Sequence, residues 1–403
     1  MNRKICFFGH FGAANFGNEI TLQTILHEFR RRLPTAKFAC ICTGPEVLAA
    51  KQEIETIAIR RTLVQRQRLR NRLARWLRRL FVGLPAEVGE WLDAFKRLKG
   101  TNMLVVPGTG LLTDAYGVFG WGPYNLLKWS FIAKLRGCKL VFVSVGAGPL
   151  RSQLGRYFVK SALSMADFRS YRDAASMAHL KDIGFRTNGD RIYPDLAFSL
   201  NEIPAPNNDE TQAGKPIIGL GLIAYAGMLS AERLTNEVYL AYLENLVTFA
   251  GWLLAQGYMI RLLIGDVSDR SVLNTFKSQL KASFKAYDER RIIDQPADSV
   301  EELLPQIAAT EIVVATRFHN VLLALALSKP VVAISFHHKS TSLMNDMGLA
   351  EYCHDIIHMD VDRLIEQFQN AERNAGQLKP VIRQRVEASR RALAEQYQLI
   401  LRN

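Results

Sequence analysis

Short apolar runs separated by longer mixed stretches set the rhythm of this chain. Residues 4–8 (KICFF), 38–42 (FACIC), 103–106 (MLVV) and 140–145 (LVFVSV) are almost continuously apolar. Runs of that length without polar alternation read as strands buried on both faces, as in a parallel sheet. Between them, apolar residues recur at helical spacing from 20 to about 33, where Pro34 stops the helix, and again over 88–99 and 155–165. A short strand ends at Ser170-Tyr171-Arg172-Asp173, another helix follows, and the chain then reaches Ile192-Tyr193-Pro194-Asp195. Residues 201–215 (NEIPAPNNDETQAGK) are polar, with prolines and a glycine, and form the clearest linker.

The alternation then restarts. Strands are expected at 216–222, 259–264, 291–293, 312–315 and 331–335, with helices over 237–256, 271–283, 299–308 and after Thr316, and a polar amphipathic tail helix over 379–401. Two blocks of alternating strands and helices imply an α/β protein with two doubly wound, Rossmann-like domains facing a cleft. The expected division is an N-terminal domain over 1–200, a linker over 201–215, a C-terminal domain over 216–378 and a terminal helix over 379–403.

Composition narrows the class. The chain has 403 residues, enough for two buried cores, with 48% hydrophobic and 22% charged residues, ordinary values for a soluble globular protein. No apolar run reaches the ~20 residues that span a bilayer, and MNRKICFFGHFG enters a glycine loop too soon for a signal peptide. The five cysteines (Cys6, Cys40, Cys42, Cys138, Cys353) are odd in number and mostly sit in strand-like apolar runs, which reads as reduced thiols in a cytoplasmic protein.

The net charge of +13 changes the picture, because much of it is local. Nine arginines fall between Arg60 and Arg79, with no acidic residue between Glu55 and Glu87. Leu69, Leu73, Trp76, Leu77 and Leu80 recur at helical spacing opposite Arg68, Arg72, Arg75 and Arg79, the pattern of a basic amphipathic helix. Two readings stand: a helix packed on the body with a solvated basic face, or peripheral docking through residues 60–81 on the inner membrane face or a diphosphate-linked lipid. Nucleic acid is not expected, since no stacking aromatics interleave with the charge.

Candidate chemistry concentrates at expected strand ends. Thr316, Arg317, His319 and Asn320 follow the strand at 312–315, and His337, His338, Lys339, Ser340 and Thr341 follow the strand at 331–335. A guanidinium, an imidazole, an ammonium and a helix N-terminus at one sheet edge suit a small, highly charged anion. Arg317 either binds that anion or pairs with a carboxylate such as Glu311; Arg172 either binds an anion or pairs with Asp173, which would cap the next helix. His319 suits general acid work near neutral pH. The adjacent pair His337-His338 is not read as a metal site, because neighbours on a strand point to opposite faces and no carboxylate partner is spaced for it. In the first half, Gly9, Gly12, Asn15, Gly17, Asn18 and Glu19 form a glycine-rich loop in which Asn18 can cap the helix, and Asp114 follows Gly108-Thr109-Gly110 as a possible base. Tyr116, Trp121 and Tyr124 either stack on a sugar or pack in the core.

The order and spacing of these motifs resemble the polysaccharide pyruvyl transferase family over nearly the whole chain. The resemblance rests on Gly9 to Glu19, Pro107 to Gly110, Ser144 to Pro149, Tyr171-Arg172-Asp173 with Gly184, Tyr193-Pro194-Asp195-Leu196, and Thr316 to His319 with Pro330 and Lys339. It implies a fold similar to the two-domain GT-B glycosyltransferases. It also implies transfer of the enolpyruvyl group of phosphoenolpyruvate to a sugar of a surface polysaccharide or its lipid-linked precursor, usually as a ketal, with no cofactor or metal. His319, Glu19 and Asp114 are then the candidate catalytic residues. Arg317, Arg172, Lys339 and Ser340 would bind the donor, and Asn15, Gly17, Asn18, Thr109 and Tyr116 the acceptor. Asn18 stands where the family usually has Asp. The competing expectations are a GT-B glycosyltransferase using a nucleotide sugar and a non-catalytic polysaccharide-assembly protein.

Overall fold

The computed structural model describes residues 3–13, 15–60, 83–120, 122–200, 216–225, 235–284 and 287–402. The basic helix beyond Arg60, Trp121 and the linker at 201–215 lie outside the described residues.

The first compact unit is built on seven parallel strands: β1 (Lys4–Phe8), β2 (Lys37–Cys42), β3 (Glu55–Ala58), β4 (Met103–Pro107), β5 (Lys139–Val145), β6 (Phe168–Tyr171) and β7 (Arg191–Ile192), in the order β3-β2-β1-β4-β5-β6-β7. Helices α1 (Phe16–Arg32), α2 (Pro45–Lys51), α3 (Leu84–Arg97), α4 (Pro123–Leu135), α5 (Gln153–Ser164) and α6 (Ala174–Asp182) intervene. The second unit repeats the scheme with six parallel strands: β8 (Ile217–Gly221), β9 (Met259–Leu263), β10 (Ile292–Ile293), β11 (Ile312–Ala315), β12 (Val331–Ser335) and β13 (Cys353–Asp355), in the order β10-β9-β8-β11-β12-β13. Its helices are α7 (Asn236–Ala255), α8 (Arg270–Ser283), α9 (Val300–Ala308), α10 (Phe318–Ala326), α11 (His338–Asp346), α12 (Val361–Arg373) and α13 (Ala375–Leu401). The two doubly wound parallel sheets are the expected fold class.

Both sheets reverse strand order once, between β1 and β4 and between β8 and β11. At such switch points the connecting helices leave to opposite faces, and the carboxyl ends of the two strands open a crevice. Central strands are buried on both faces, so β4, β8, β11 and β12 are apolar but for Ser335 at the end of β12, and all their residues are buried.

Chain order and packing do not coincide. The first compact unit comprises Met1–Ala13, Ile25–Asp195 and Tyr397–Asn403, and the second comprises Ala14–Thr24 and Leu196–Gln396. The first turns of α1 therefore belong to the second unit, and the end of α13 to the first. Six elements were not expected from the sequence: β3 and β13, only four and three residues long, α2 with seven, α11 and α12, and α4, which is apolar on most of its circumference. A helix buried on several sides has no clean 3.6-residue period to detect; eight α4 residues are buried, including Asn125 and Lys128.

Among the described residues, one helix, α7, is long and apolar enough to cross a bilayer, where the sequence reading found none. It packs as a core helix: Tyr242, Leu243, Leu246, Phe249, Leu253 and Leu254 are buried, and Phe249 meets Phe368 edge-on at 5.7 Å.

Candidate functional site

In the second unit the switch point assembles from three strand ends. β11 leads into Thr316 and Arg317, and α10 begins at Phe318 with Arg317 as its N-cap residue in extended conformation. Thr316 N–H donates to Gly221 O at 3.1 Å, and its hydroxyl meets the Tyr242 hydroxyl at 3.0 Å. Tyr242 is fully buried, and burial pushes its phenol well above the ordinary range. These contacts pin the start of α10 against the ends of β8 and α7.

Arg317 is held by a carboxylate that the sequence reading did not single out. Its Nε donates to Asp269 Oδ2 at 2.7 Å and its Nη2 to Asp269 Oδ1 at 2.6 Å, a two-point fork. The Asp269 side chain is fully buried and also accepts from Ala224 N–H at 2.9 Å. The alternative partner considered from sequence, Glu311, pairs with Lys379 instead, at 3.0 Å. The Asp269 fork fixes the guanidinium plane and offsets its charge, so Arg317 offers oriented donors more than net cation. Only the shared neighbourhood of two strand ends brings residues 48 positions apart into this pair, which is why spacing did not reveal it.

His319, one residue into α10, rests against Gly17. A Cβ placed on Gly17 would lie 1.9 Å from His319 Cε1 and 2.0 Å from Nδ1. The imidazole thus occupies the space that any side chain at 17 would fill. Gly17 is in the first turn of α1, so the ring sits where the first turns of α1 and α10 meet. Both termini present backbone N–H groups and the positive end of a helix dipole.

Asn15 secures this arrangement. Its side-chain oxygen accepts from Asn18 N–H at 3.2 Å and its carbonyl accepts from Asn18 and Glu19 N–H, each at 3.1 Å. Asn15 is therefore the cap of α1, a role the sequence reading gave to Asn18. Its amide Nδ2 donates to Asp266 Oδ2 at 2.9 Å, and Phe16 N–H donates to Gly265 O at 3.3 Å, tying the loop to the end of β9. Glu19 is buried in the first turn of α1. The structure thus brings Asn15, Gly17, Asn18 and Glu19, expected on the acceptor side of the N-terminal domain, into the same unit as Arg317 and His319.

Asn320 lies one step deeper. It is fully buried, and neither its Oδ1 nor its Nδ2 has a hydrogen-bond partner among the described residues. Its amide fits only because two neighbours lack side chains: a Cβ on Gly221 would sit 3.0 Å from Nδ2, and one on Gly265 would sit 3.1 Å from Oδ1. A buried amide without partners costs about 1–3 kcal/mol, the mark of a group kept for something other than stability.

Lys339 and Ser340 leave the neighbouring strand, β12, in the first turn of α11. β12 pairs with β11 through Ala333 and Ala315, so both strand ends emerge on one edge. His337 caps α11, accepting from Lys339 N–H at 3.3 Å. His337 and His338 follow the strand instead of lying on it, and their rings meet at 4.1 Å instead of facing opposite ways as expected.

The first unit holds the remaining predicted residues. Thr109 ends the turn after β4; it is buried, and its hydroxyl has no hydrogen-bond partner among the described residues. Tyr116 is 65% exposed on the following loop. Asp114 is committed to loop structure: its Oδ1 accepts from Arg151 N–H at 3.0 Å and its Oδ2 from Ser152 N–H at 2.7 Å. Partial burial acts to raise its pKa, but these hydrogen bonds prevail and hold the carboxyl below its usual range. A low-pKa carboxylate occupied by two backbone donors is poorly suited to general-base work. Arg172 is likewise drawn into buried ion pairs, with Asp195 at 3.2 Å and Asp173 at 3.4 Å, while Asp173 caps α6. The structure shows the pairing considered for Arg172, with Asp195 as a second partner. A cavity of about 510 Å³ in this unit, lined by Arg3, Asn102, Lys139 and Asp167 among others, opens at the amino ends of the strands and includes none of the predicted residues.

Two doubly wound parallel sheets, each with one switch point, make up a fold of the GT-B type. The comparisons agree on fold: a glycosyltransferase from Rickettsia africae superposes with a TM-score of 0.60 at 10% identity, covering 100% of this chain and 99% of that one. HepE from Anabaena, crystallised with UDP, gives 0.62 at 13%, covering 98% and 99%. A UDP-N-acetylglucosamine 2-epimerase from Listeria monocytogenes gives 0.60 at 11%, covering 95% and 91%. The chain belongs to the polysaccharide pyruvyl transferase family, whose model matches residues 15–338. The amylovoran biosynthesis protein AmsJ of Erwinia amylovora is 20% identical over 320 residues, 75% of this chain and 73% of that protein.

Proposed function

We propose that this transferase moves the enolpyruvyl group of phosphoenolpyruvate onto a saccharide and closes it as a ketal. The observation that carries the reading is the second-unit switch point, where the Asp269-oriented Arg317, the His319 imidazole and the first turns of α1 and α10 converge. Phosphoenolpyruvate presents a phosphate and a carboxylate within a few ångströms, which calls for oriented N–H donors from more than one direction. Arg317, the two helix termini and Lys339 supply them, and the unpartnered Asn320 amide adds one donor and one acceptor.

In this reading His319 delivers a proton to the methylene carbon. The electrons of the carbon–carbon double bond take up that proton and leave the adjacent carbon cationic, stabilised by its enol oxygen. A sugar hydroxyl attacks this carbon and gives up its proton to a base, for which Glu19 is the nearest candidate in sequence to the site. Phosphate leaves with its bonding electron pair, and a second sugar hydroxyl closes the ketal, its proton passing to the His319 imidazole left neutral by the first step. Thr109 and Tyr116 of the first unit are proposed to contact the acceptor. A nucleotide-sugar site is less well supported: the first turn of α11 carries His, Lys and Ser, and its only carboxylate, Asp346, lies at the far end of the helix.

Calorimetric titration with phosphoenolpyruvate, and separately with UDP- and GDP-sugars, tests the reading, with Arg317→Ala as control. Saturable phosphoenolpyruvate binding lost in the variant supports it. Nucleotide-sugar binding without phosphoenolpyruvate binding replaces it with glycosyl transfer.

A further inference from the structure

Helix α3 presents apolar residues on two sides. Ala94 and Leu98 face the core, while Leu84, Val88, Leu92 and Phe95, a stripe at helical spacing, are 57%, 58%, 57% and 36% exposed. Phe131 and Leu135 of α4, 42% and 61% exposed, extend the same surface. The two helices are joined there: Trp91 meets Phe131 edge-on at 5.9 Å, and the Arg136 guanidinium lies 3.6 Å over the Phe95 ring. An apolar ridge of this size on one face marks a docking surface.

The acids of α3 do not counter the charge around this ridge. Glu90 and Glu87 pair with the buried Lys128 at 3.0 and 3.5 Å and with Arg60 at 3.7 and 3.8 Å, and Asp93 pairs with Arg97 at 2.7 Å. Lys96 and Lys99 are exposed beside the stripe. Residues 60–139 contain 16 of the 51 Lys and Arg but only 4 of the 38 Asp and Glu, leaving 35 cations against 34 carboxylates elsewhere. Eight of these sixteen, between Arg61 and Arg79, lie outside the described residues; among the described ones Lys96, Lys99 and Arg136 border the stripe.

We propose that the α3–α4 face docks on an anionic lipid bilayer surface, with Leu84, Val88, Leu92, Phe95, Phe131 and Leu135 seated at the headgroup boundary. Aliphatic and aromatic residues inserting among headgroups, ringed by Lys and Arg, is the chemistry of interfacial membrane binding. Nucleic acid would leave the leucines and valine without a role, since bases stack on aromatic faces. A second copy would set Lys96 and Lys99 of one chain against those of the other, the acids of α3 being already paired.

Sedimentation of the full chain with phosphatidylglycerol-rich vesicles, against pure phosphatidylcholine vesicles, tests this. Binding to the anionic vesicles alone is expected, and it should fall steeply in 1 M salt, where the Debye length is about 3 Å. Leu84→Ser/Leu92→Ser/Leu135→Ser should weaken it at least ~10-fold with the thermal transition unchanged, because all three side chains are more than half exposed. Val88→Ser alone, expected to weaken it by roughly 3-fold, serves if the triple variant fails to fold. Sedimentation with neither vesicle, full binding by a folded ridge variant, or a dimer in light scattering that the ridge variant dissociates would overturn the proposal.

Discussion

The smallest decisive features of this protein are single atoms that are missing or neutralised. Gly17 → Ala adds one methyl where His319 Cε1 already stands. Alanine in a helix is ordinarily favourable by about 0.5–1 kcal/mol relative to glycine, so a stability loss is not the expected signature. We expect instead a displaced imidazole: turnover reduced by about 10²-fold, with an unfolding midpoint near that of the wild type, checked by steady-state kinetics beside a denaturant titration. Asp269→Asn acts on the other side of the site. It leaves Arg317 without its carboxylate and is expected to cost about 3 kcal/mol of stability and to raise KM for phosphoenolpyruvate. If Asp269→Asn bound the donor as tightly as the wild type, orientation of Arg317 by the fork would be discounted. Residue types alone pointed to Arg317 and His319 because a guanidinium and an imidazole at a strand end carry recognisable chemistry. Asp269 was not legible, because an aspartate opening a helix is commonplace and only the fold shows which arginine it meets.

At the scale of elements, caps and loop clamps decide where these side chains stand. The cap of α1 is Asn15, which also reaches Asp266, so one residue closes a helix end and fastens the loop to β9. Asp114 does comparable work in the first unit, joining the loop after β4 to the residues that open α5. Its pKa is lowered in the folded state, so its contribution is fully present above the ordinary value of 3.8 and is lost as pH falls below that toward the folded-state value. We expect Asp114→Asn to be less stable than the wild type at neutral pH, with the difference narrowing below about pH 4, measured by denaturant titrations across pH. A constant difference down to pH 2 would place the Asp114 contribution outside its charge. The central strands were read from sequence to within a residue at each end because parallel strands buried on both faces are nearly unbroken apolar runs. α4 was not, because a helix buried around most of its surface loses the polar stripe that announces a helix.

The whole molecule separates its chemistry from its surroundings by burial. Cys6, Cys40, Cys42 and Cys138 are buried, Cys353 is partly so, and none of the five forms a disulfide. Burial raises the thiol pKa of Cys6, Cys138 and Cys353, so little thiolate forms near neutral pH. We expect a thiol reagent to label the native chain slowly at pH 8 and all five positions quickly in denaturant; rapid native labelling would contradict this packing. What the sequence by itself determined is the alternation: apolar runs that must be covered on both faces dictate parallel strands with crossing helices, and ligand chemistry then falls at their carboxyl ends. It also fixed which residue types stand there. What only the tertiary structure decided is partnership. Arg172 was drawn into Asp195 and Asp173, Asp114 into backbone donors, and Arg317 onto Asp269, while the first turns of α1 joined the second unit and brought Gly17 to His319. Those pairings join residues up to 302 positions apart, and local pattern carries no information about which distant group will compete for a buried charge. Desolvation makes each such charge take the nearest satisfying partner, and the fold alone sets which partner that is.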